Sequence, residues 1–206
     1  MITRRKFSQY ALAGLTALGL PRSAIASTDL SPILREDGTY TQSWFLESFL
    51  ELKDDIEESQ AAGKRFAILW EQAGCPYCRE THMTNFAQPE IREFVETHFN
   101  ILQLDIWGSR EMVDFDGTPS SEKKMARKNN VRFTPTVQFF PPSLGDVDGK
   151  SGKDAEILRM PGYFKPAHFL AMFQYVQEEA YHNIEFQPYL KAKLNTVGKP
   201  KKTVAW

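Results

Sequence analysis

Ala73-Gly74-Cys75-Pro76-Tyr77-Cys78-Arg79 is the stretch on which the reading of this chain turns. It holds the only two cysteines of the 206 residues. The apolar run Phe66-Ala67-Ile68-Leu69-Trp70 precedes it, and a helical pattern through Phe86 follows it. A Cys-x-x-Cys pair between a strand and a helix is the pattern of a dithiol/disulfide redox site. With Cys75 as N-cap, Pro76 is the first helical residue, where a backbone N–H would have no helical partner in any case. The free N–H groups and the positive end of the helix favour a Cys75 thiolate. The thiolate is the nucleophilic form of cysteine. Cys78 falls one turn later on the same face, where it can attack a mixed disulfide held at Cys75.

Two other readings of the pair stay open at this point. A structural disulfide is one, although so short a loop restricts the unfolded chain little. A metal site is the other. His82 follows Cys78 by one helical turn, and Cys75, Cys78 and His82 would make an open three-ligand zinc or copper site. Against it, the chain has no second cysteine pair, and a histidine on a helix face is more often plain surface.

Working outward, the run from Phe66 to Trp70 reads as a strand buried on both faces. Glu71 after it is either a solvated turn residue or an acceptor for the Cys78 proton. Upstream, Phe45, Phe49, Leu52 and Ile56 recur at helical spacing and predict a helix from an N-cap at Ser43 to a stop at Gly63. Downstream, Pro89 opens a helix with Ile91, Phe94 and Val95 inward and His98 structural or exposed. A strand follows over Phe99 to Trp107. Residues 108–121 form an excursion in which Asp114-Phe115-Asp116-Gly117 turns a small hairpin. Its acids lack the spacing of a calcium loop. Ser121 caps a helix reaching about Asn130. Pro135 cannot donate to a sheet ladder, so it belongs at the start of the apolar strand that follows. Ser143 to Asp154 is turn-like, Ala155 to Met160 a partner strand, and Pro166 to Ala180 a helix.

The first 26 residues have another character. Arg4, Arg5 and Lys6 precede an apolar stretch from Ala11 to Leu20, and Ala24-Ile25-Ala26 is a small-residue end. This is the plan of an export signal cleaved after about Ala26, with the mature protein in the periplasm. Thr3-Arg4-Arg5-Lys6-Phe7 resembles a twin-arginine signal, with a general secretory signal as the other reading. No stretch of the sequence has the length and apolarity of a membrane span. The segment carries four of the 25 basic residues and none of the 26 acidic ones, so the remainder has 21 basic residues and a net charge of −5. That balance argues against nucleic acid as a partner.

The order of elements resembles the thioredoxin fold over roughly residues 43–181. Cys75-Pro76-Tyr77-Cys78 matches that superfamily's active-site motif, and Thr134-Pro135 matches its cis-proline. The resemblance implies an α/β thioredoxin-like fold, a central mixed sheet flanked by helices. To this the chain adds an N-terminal helix and the excursion at 108–121. The expected organisation is a signal over 1–26, a linker over 27–42, the domain over 43–182 and an appended segment over 183–206. The resemblance also implies catalysis by Cys75 and Cys78, a substrate groove shaped by Pro76, Tyr77, Thr134 and Pro135, and no cofactor. Within the superfamily the chain is most similar to the SoxW-type periplasmic thioredoxins of bacterial sulfur oxidation. Glu71-Gln72-x-Gly74-Cys75-Pro76-Tyr77-Cys78 and Phe133-Thr134-Pro135-Thr136 carry that similarity. It implies a monomeric reductase of protein disulfides, fed electrons by a membrane thiol transporter. The chain departs from ordinary thioredoxin in having Gly74 rather than Trp before the first cysteine. It also has Leu69 where the superfamily buries an Asp, which leaves Glu71 as the substitute. Cys-Pro-Tyr-Cys is the glutaredoxin pair too, so a glutaredoxin-like protein and a disulfide oxidase are the neighbouring alternatives.

Overall fold

A short hairpin, β1 (Ile33–Leu34) and β2 (Tyr40–Thr41), leads into α1 (Leu52–Ala61) and then β3 (Arg65–Glu71). The cysteine motif opens α2 (Pro76–Glu80), which runs on through a π-helical turn, Thr81–Asn85. Next come α3 (Pro89–His98), β4 (Phe99–Asp105), the hairpin β5 (Glu111–Val113) and β6 (Pro119–Ser121), and α4 (Glu122–Lys128). The second half holds β7 (Thr136–Phe139), α5 (Leu144–Val147), α6 (Gly152–Ala155), β8 (Leu158–Pro161), α7 (Pro166–Gln177) and α8 (Phe186–Val197). This computed structural model describes residues 31–197. The export signal expected over 1–26 lies outside the described residues.

Four strands form the central sheet in the order β4-β3-β7-β8. β3 and β4 run parallel, from Arg65 opposite Phe99 to Glu71 opposite Asp105. β7 pairs antiparallel with both β3 and β8. The result is the expected mixed sheet flanked by helices. Side chains alternate across a strand. Ala67 and Leu69 of β3 therefore join Phe99, Ile101, Val137 and Phe139 on one face, under α3 and α7. Phe66, Ile68 and Trp70 join Leu102, Leu104, Met125 and Phe140 on the other, under α1 and α4. Every residue of β3 is buried, which is why the run from Phe66 to Trp70 is apolar without alternation. Trp70 finds a partner for its indole N–H in Gln138 of β7.

The helix predicted from Ser43 starts instead at Leu52. Three contacts account for the delay. Leu46 N–H donates to Ile101 O on β4 (3.0 Å), and Val113 N–H donates to Leu50 O (2.9 Å). Leu50 itself sits at φ 67°, outside any helix, with its N–H on Ser48 Oγ. The backbone between 43 and 51 is thus tied to β4 at Leu46 and to β5 at Leu50. Phe45 turns into the core while Phe49, four residues on, is 99% exposed.

The stretch expected as a linker contains the β1–β2 hairpin. The expected 108–121 hairpin is present, with Glu111 opposite Ser121. Ser121 caps α4 through Lys124 N–H at 3.5 Å. The turn-like stretch after Ser143 holds two four-residue helices, α5 and α6, too short to show a period in sequence. At the C-terminal end α8 packs on α7. Tyr189 and Leu190 are buried there, and Tyr189 OH donates to Glu178 Oε2 at 2.8 Å.

Candidate active site at the end of the central strand

The sharp reversal from β3 into the motif passes through Gly74 at φ 69°, a left-handed conformation that suits glycine. Cys75 is the N-cap of α2, with extended backbone (φ −80°, ψ 113°) and Pro76 in the first turn. The N–H of Cys78 donates to Cys75 Sγ at 3.0 Å. A helix N-terminal donor aimed at sulfur favours negative charge there. The two cysteines form a disulfide, with Cα atoms 5.3 Å apart. Cys75 is 9% exposed and Cys78 is 5% exposed. The gap is small, so the helix-end contact distinguishes the sulfurs better than exposure does.

The Thr134–Pro135 bond is cis, and it stands where β7 begins. Thr134 faces Cys75: its Oγ1 is 3.4 Å and its carbonyl O 3.5 Å from Cys75 Sγ. Beside them lies an open, mostly apolar groove of about 540 Å³ lined by Tyr77, Phe133, Thr134, Pro161, Gly162 and Tyr163. Tyr77 and Phe133 are 61% and 65% exposed. The rings of Tyr77 and Tyr163 stack at 6.0 Å. Tyr163 OH donates to Asn85 Oδ1 at 3.4 Å, and burial, then the charge of Glu80, holds its phenol above the usual value. Of the residues singled out from sequence, Tyr77 and Thr134 line this groove and Thr134 also reaches the sulfur, whereas Pro76 lines the cavity that Glu71 borders.

A separate cavity of about 690 Å³ has both cysteines in its wall, together with Leu34, Tyr40, Glu71 and Arg79. Glu71 is not a solvated turn residue. It is the last residue of β3 and is 1% exposed. His82 is not surface either: it is fully buried. Its Nε2 lies 2.9 and 3.2 Å from the two Glu71 carboxylate oxygens, and its Nδ1 is 3.0 Å from Gln42 Nε2. Gln103 of β4 donates from one amide nitrogen to Glu71 Oε2 and to Tyr40 O, tying the carboxylate to the hairpin. His82 is thus turned toward Glu71 and Gln42 rather than toward the sulfurs. Among the described residues no three His, Cys, Asp or Glu side chains converge as a metal site. The three-ligand reading of Cys75, Cys78 and His82 has no geometry to support it.

Sequence reasoning missed Gln42, Gln103 and the inward placing of His82. One signal was present: Gln103 interrupts the apolar run Ile101-Leu102-x-Leu104. A polar residue inside a doubly covered strand must find a buried partner.

Comparison with known proteins gives this geometry a family. The thioredoxin-like domain matches residues 52–177, more than half of the chain. The chain belongs to the thioredoxin-like domain family. Among solved structures, a thioredoxin-fold protein from Helicobacter pylori superposes with a TM-score of 0.52 at 21% identity, over 65% of this chain and 86% of that one. A thioredoxin from Thermus thermophilus is also 21% identical, with a TM-score of 0.45, over 61% of this chain and 83% of that one. No curated protein matches the chain. A thioredoxin-like domain whose Cys-x-x-Cys disulfide caps a helix beside a cis-proline is equipped for thiol–disulfide exchange.

Proposed function

We propose that this thioredoxin-like protein is an exported, periplasmic thiol:disulfide oxidoreductase that reduces disulfides in other proteins. The observation that carries the reading is the Cys75–Cys78 disulfide at the α2 N-terminus, flanked by Thr134–Pro135 and an open apolar groove. In the reduced protein the Cys75 thiolate attacks one sulfur of a partner disulfide. That S–S bond breaks, the departing partner sulfur takes a proton, and Cys75 is left in a mixed disulfide. Cys78 then gives up its thiol proton and attacks Cys75 Sγ. The Cys75–Cys78 bond forms, the second partner sulfur leaves as a thiol, and two electrons have passed to the partner. The buried carboxylate of Glu71, which shares the cavity with Cys78, is the acceptor of that proton.

Thr134 lies at the sulfur, so a segment reaching Cys75 passes over it, with Pro76, Tyr77 and Pro135 shaping the path. The groove's volume and exposed aromatic walls suit a protein segment better than a small thiol. The export signal and the SoxW-like motif context support a periplasmic reductase recharged by a membrane thiol transporter and serving sulfur-oxidation proteins. Direction depends on the reduction potential against that of the donor and the compartment.

The test is insulin reduction with dithiothreitol, together with the equilibrium of the Cys75–Cys78 pair against glutathione buffers. Rapid insulin precipitation and a reducing potential support the reading. A potential in the oxidising range would reverse the direction of electron flow, and an inert disulfide would end the proposal.

A further inference from the structure

Glu71 and His82 are both withdrawn from solvent, at 1% and 0% exposure. A carboxylate in such a place needs donors, because an unpaired buried charge is costly. It has two, the Nε2 of His82 and the amide of Gln103. Gln42 assigns the proton on the imidazole. Its Nε2 donates to His82 Nδ1, so Nδ1 is the acceptor and Nε2 carries the hydrogen. That hydrogen points at both oxygens of Glu71, at 2.9 and 3.2 Å. Tyr40, Phe45 and Phe86 pack around the rest of the ring.

Backbone geometry places the histidine there. His82 sits one turn beyond Cys78, in the π-helical turn that continues α2 and closes with Phe86 N–H on Thr81 O at 3.0 Å. The wider turn brings Thr81, His82 and Asn85 all into the interior. One continuous helical segment therefore carries both Cys78 and the donor to Glu71. Charged groups also line the cavities that Glu71 borders. On the Cys78 side these are Arg79 and Glu80. On the other side, in a cavity of about 290 Å³, they are Arg35, Asp37, Asp105, Arg110 and Glu122. Arg35 also reaches Gln103 Oε1 at 3.5 Å.

Resting on the reading of Glu71 as proton acceptor, we propose that His82 is a positioning residue for the release step: its neutral ring, protonated at Nε2, keeps the Glu71 carboxylate ready to take the Cys78 proton. In that step the Cys78 S–H proton goes to Glu71, the Cys78 sulfur bonds to Cys75 Sγ, and the Cys75–partner bond breaks. The partner thiolate takes its proton from solvent. His82 keeps its own proton throughout, and the electron count is that of the exchange itself.

The test follows single turnover of the reduced full chain against a fluorogenic peptide disulfide from pH 5 to 9, separating capture at Cys75 from release by Cys78. His82→Leu removes the donor. It is expected to slow release about tenfold near neutrality and move the release midpoint up by about one pH unit, with capture changed less than about twofold. His82→Gln keeps an N–H at similar reach without a titrating ring, and its release midpoint should stay near that of the parent. A folded His82→Leu protein with an unchanged midpoint overturns the proposal, and so does a His82→Gln protein that behaves like it, since the ring would then be a proton carrier. Should His82→Leu not fold, ¹⁵N spectra of the His82 ring in the reduced parent decide, with the proton expected on Nε2 and a proton on Nδ1 overturning the assignment. Glu71→Gln separates the two levels. If it leaves release unaffected, the proton-acceptor reading itself fails; if it slows release while His82→Leu does not, only the role of His82 fails.

Discussion

The backbone N–H of Cys78 donates to the sulfur of Cys75 at 3.0 Å, so the second cysteine of the motif helps prepare the first. Accumulated negative charge on Cys75 is favoured by this donor and by the helix end behind it. Cys78 has no such contact among those of the described residues and is the more covered of the two.

From this follows the division of labour between the sulfurs. Cys78→Ser is expected to retain partners as mixed disulfides at Cys75, visible on non-reducing gels and released by reductant. Cys75→Ser should trap little. In the reduced protein, alkylation at mildly acidic pH should label Cys75 first, by about tenfold or more. Faster labelling of Cys78 would reverse the assignment.

The aromatic groove beside Thr134 makes a prediction about partners. Phe133→Ser and Tyr163→Ala each remove one wall without touching the disulfide. Each should lower kcat/KM for a protein disulfide several-fold, since a buried aromatic contact contributes about 1 kcal/mol or more at an interface. Reaction with a small disulfide such as oxidised dithiothreitol should change less than about twofold. Equal losses on both substrates would mean that the walls support the site rather than bind the partner.

Asp55 in α1 sets a pH dependence of stability. It is 4% exposed, one of its carboxylate oxygens has no partner, and burial raises its pKa from 3.8 to about 6. Because the native state holds this proton more tightly than the unfolded chain, its contribution is most favourable below pH 4 and is lost as pH rises toward 6. The loss is bounded at about 3 kcal/mol. Asp55→Asn removes it. The stability difference, variant minus parent, should therefore grow between pH 4 and 7 in urea titrations, and a difference constant with pH would show that Asp55 titrates normally.

Gly108 is held by a close approach. A Cβ at this position would overlap the carboxylate of Glu122 and lie 3.1 Å from Asp105 O. That carboxylate is buried and accepts from Asp105 N–H at 3.0 Å and from Arg110 Nη2 at 2.6 Å. Gly108→Ala should cost roughly 1–3 kcal/mol, read as a lower denaturation midpoint with unchanged slope. A variant as stable as the parent would show that Glu122 has room to move.

The export reading has its own experiment, in residues outside the described part of the chain. Replacing Arg4 and Arg5 together by Lys should leave uncleaved precursor in the cytoplasm if the twin-arginine route is used. Normal processing of the double variant would point to general secretion.

Much of the fold was legible in local chemistry. The continuous apolar run of β3, the Cys-Pro start of α2, the proline before β7 and the Ser121 cap each act through neighbouring residues, and the structure has all of them in place. The Cys75–Cys78 pair was legible for the same reason, since both members share one helical turn. The segment before Leu52 was not. Its phenylalanines keep helical spacing, yet hydrogen bonds to β4 and β5 from far along the chain outweigh that local preference and leave Phe49 in solvent. The surroundings of Glu71 were equally hidden. Whether a carboxylate after a strand meets water or a donor is decided by what packs over it: Gln103 from the neighbouring strand, His82 from a widened helical turn, and Gln42 behind it. Sequence spacing determined which residues could carry the thiol chemistry; only the tertiary structure decided that Glu71 and His82 meet, because burial and hydrogen-bond pairing are settled between segments that are distant in the chain.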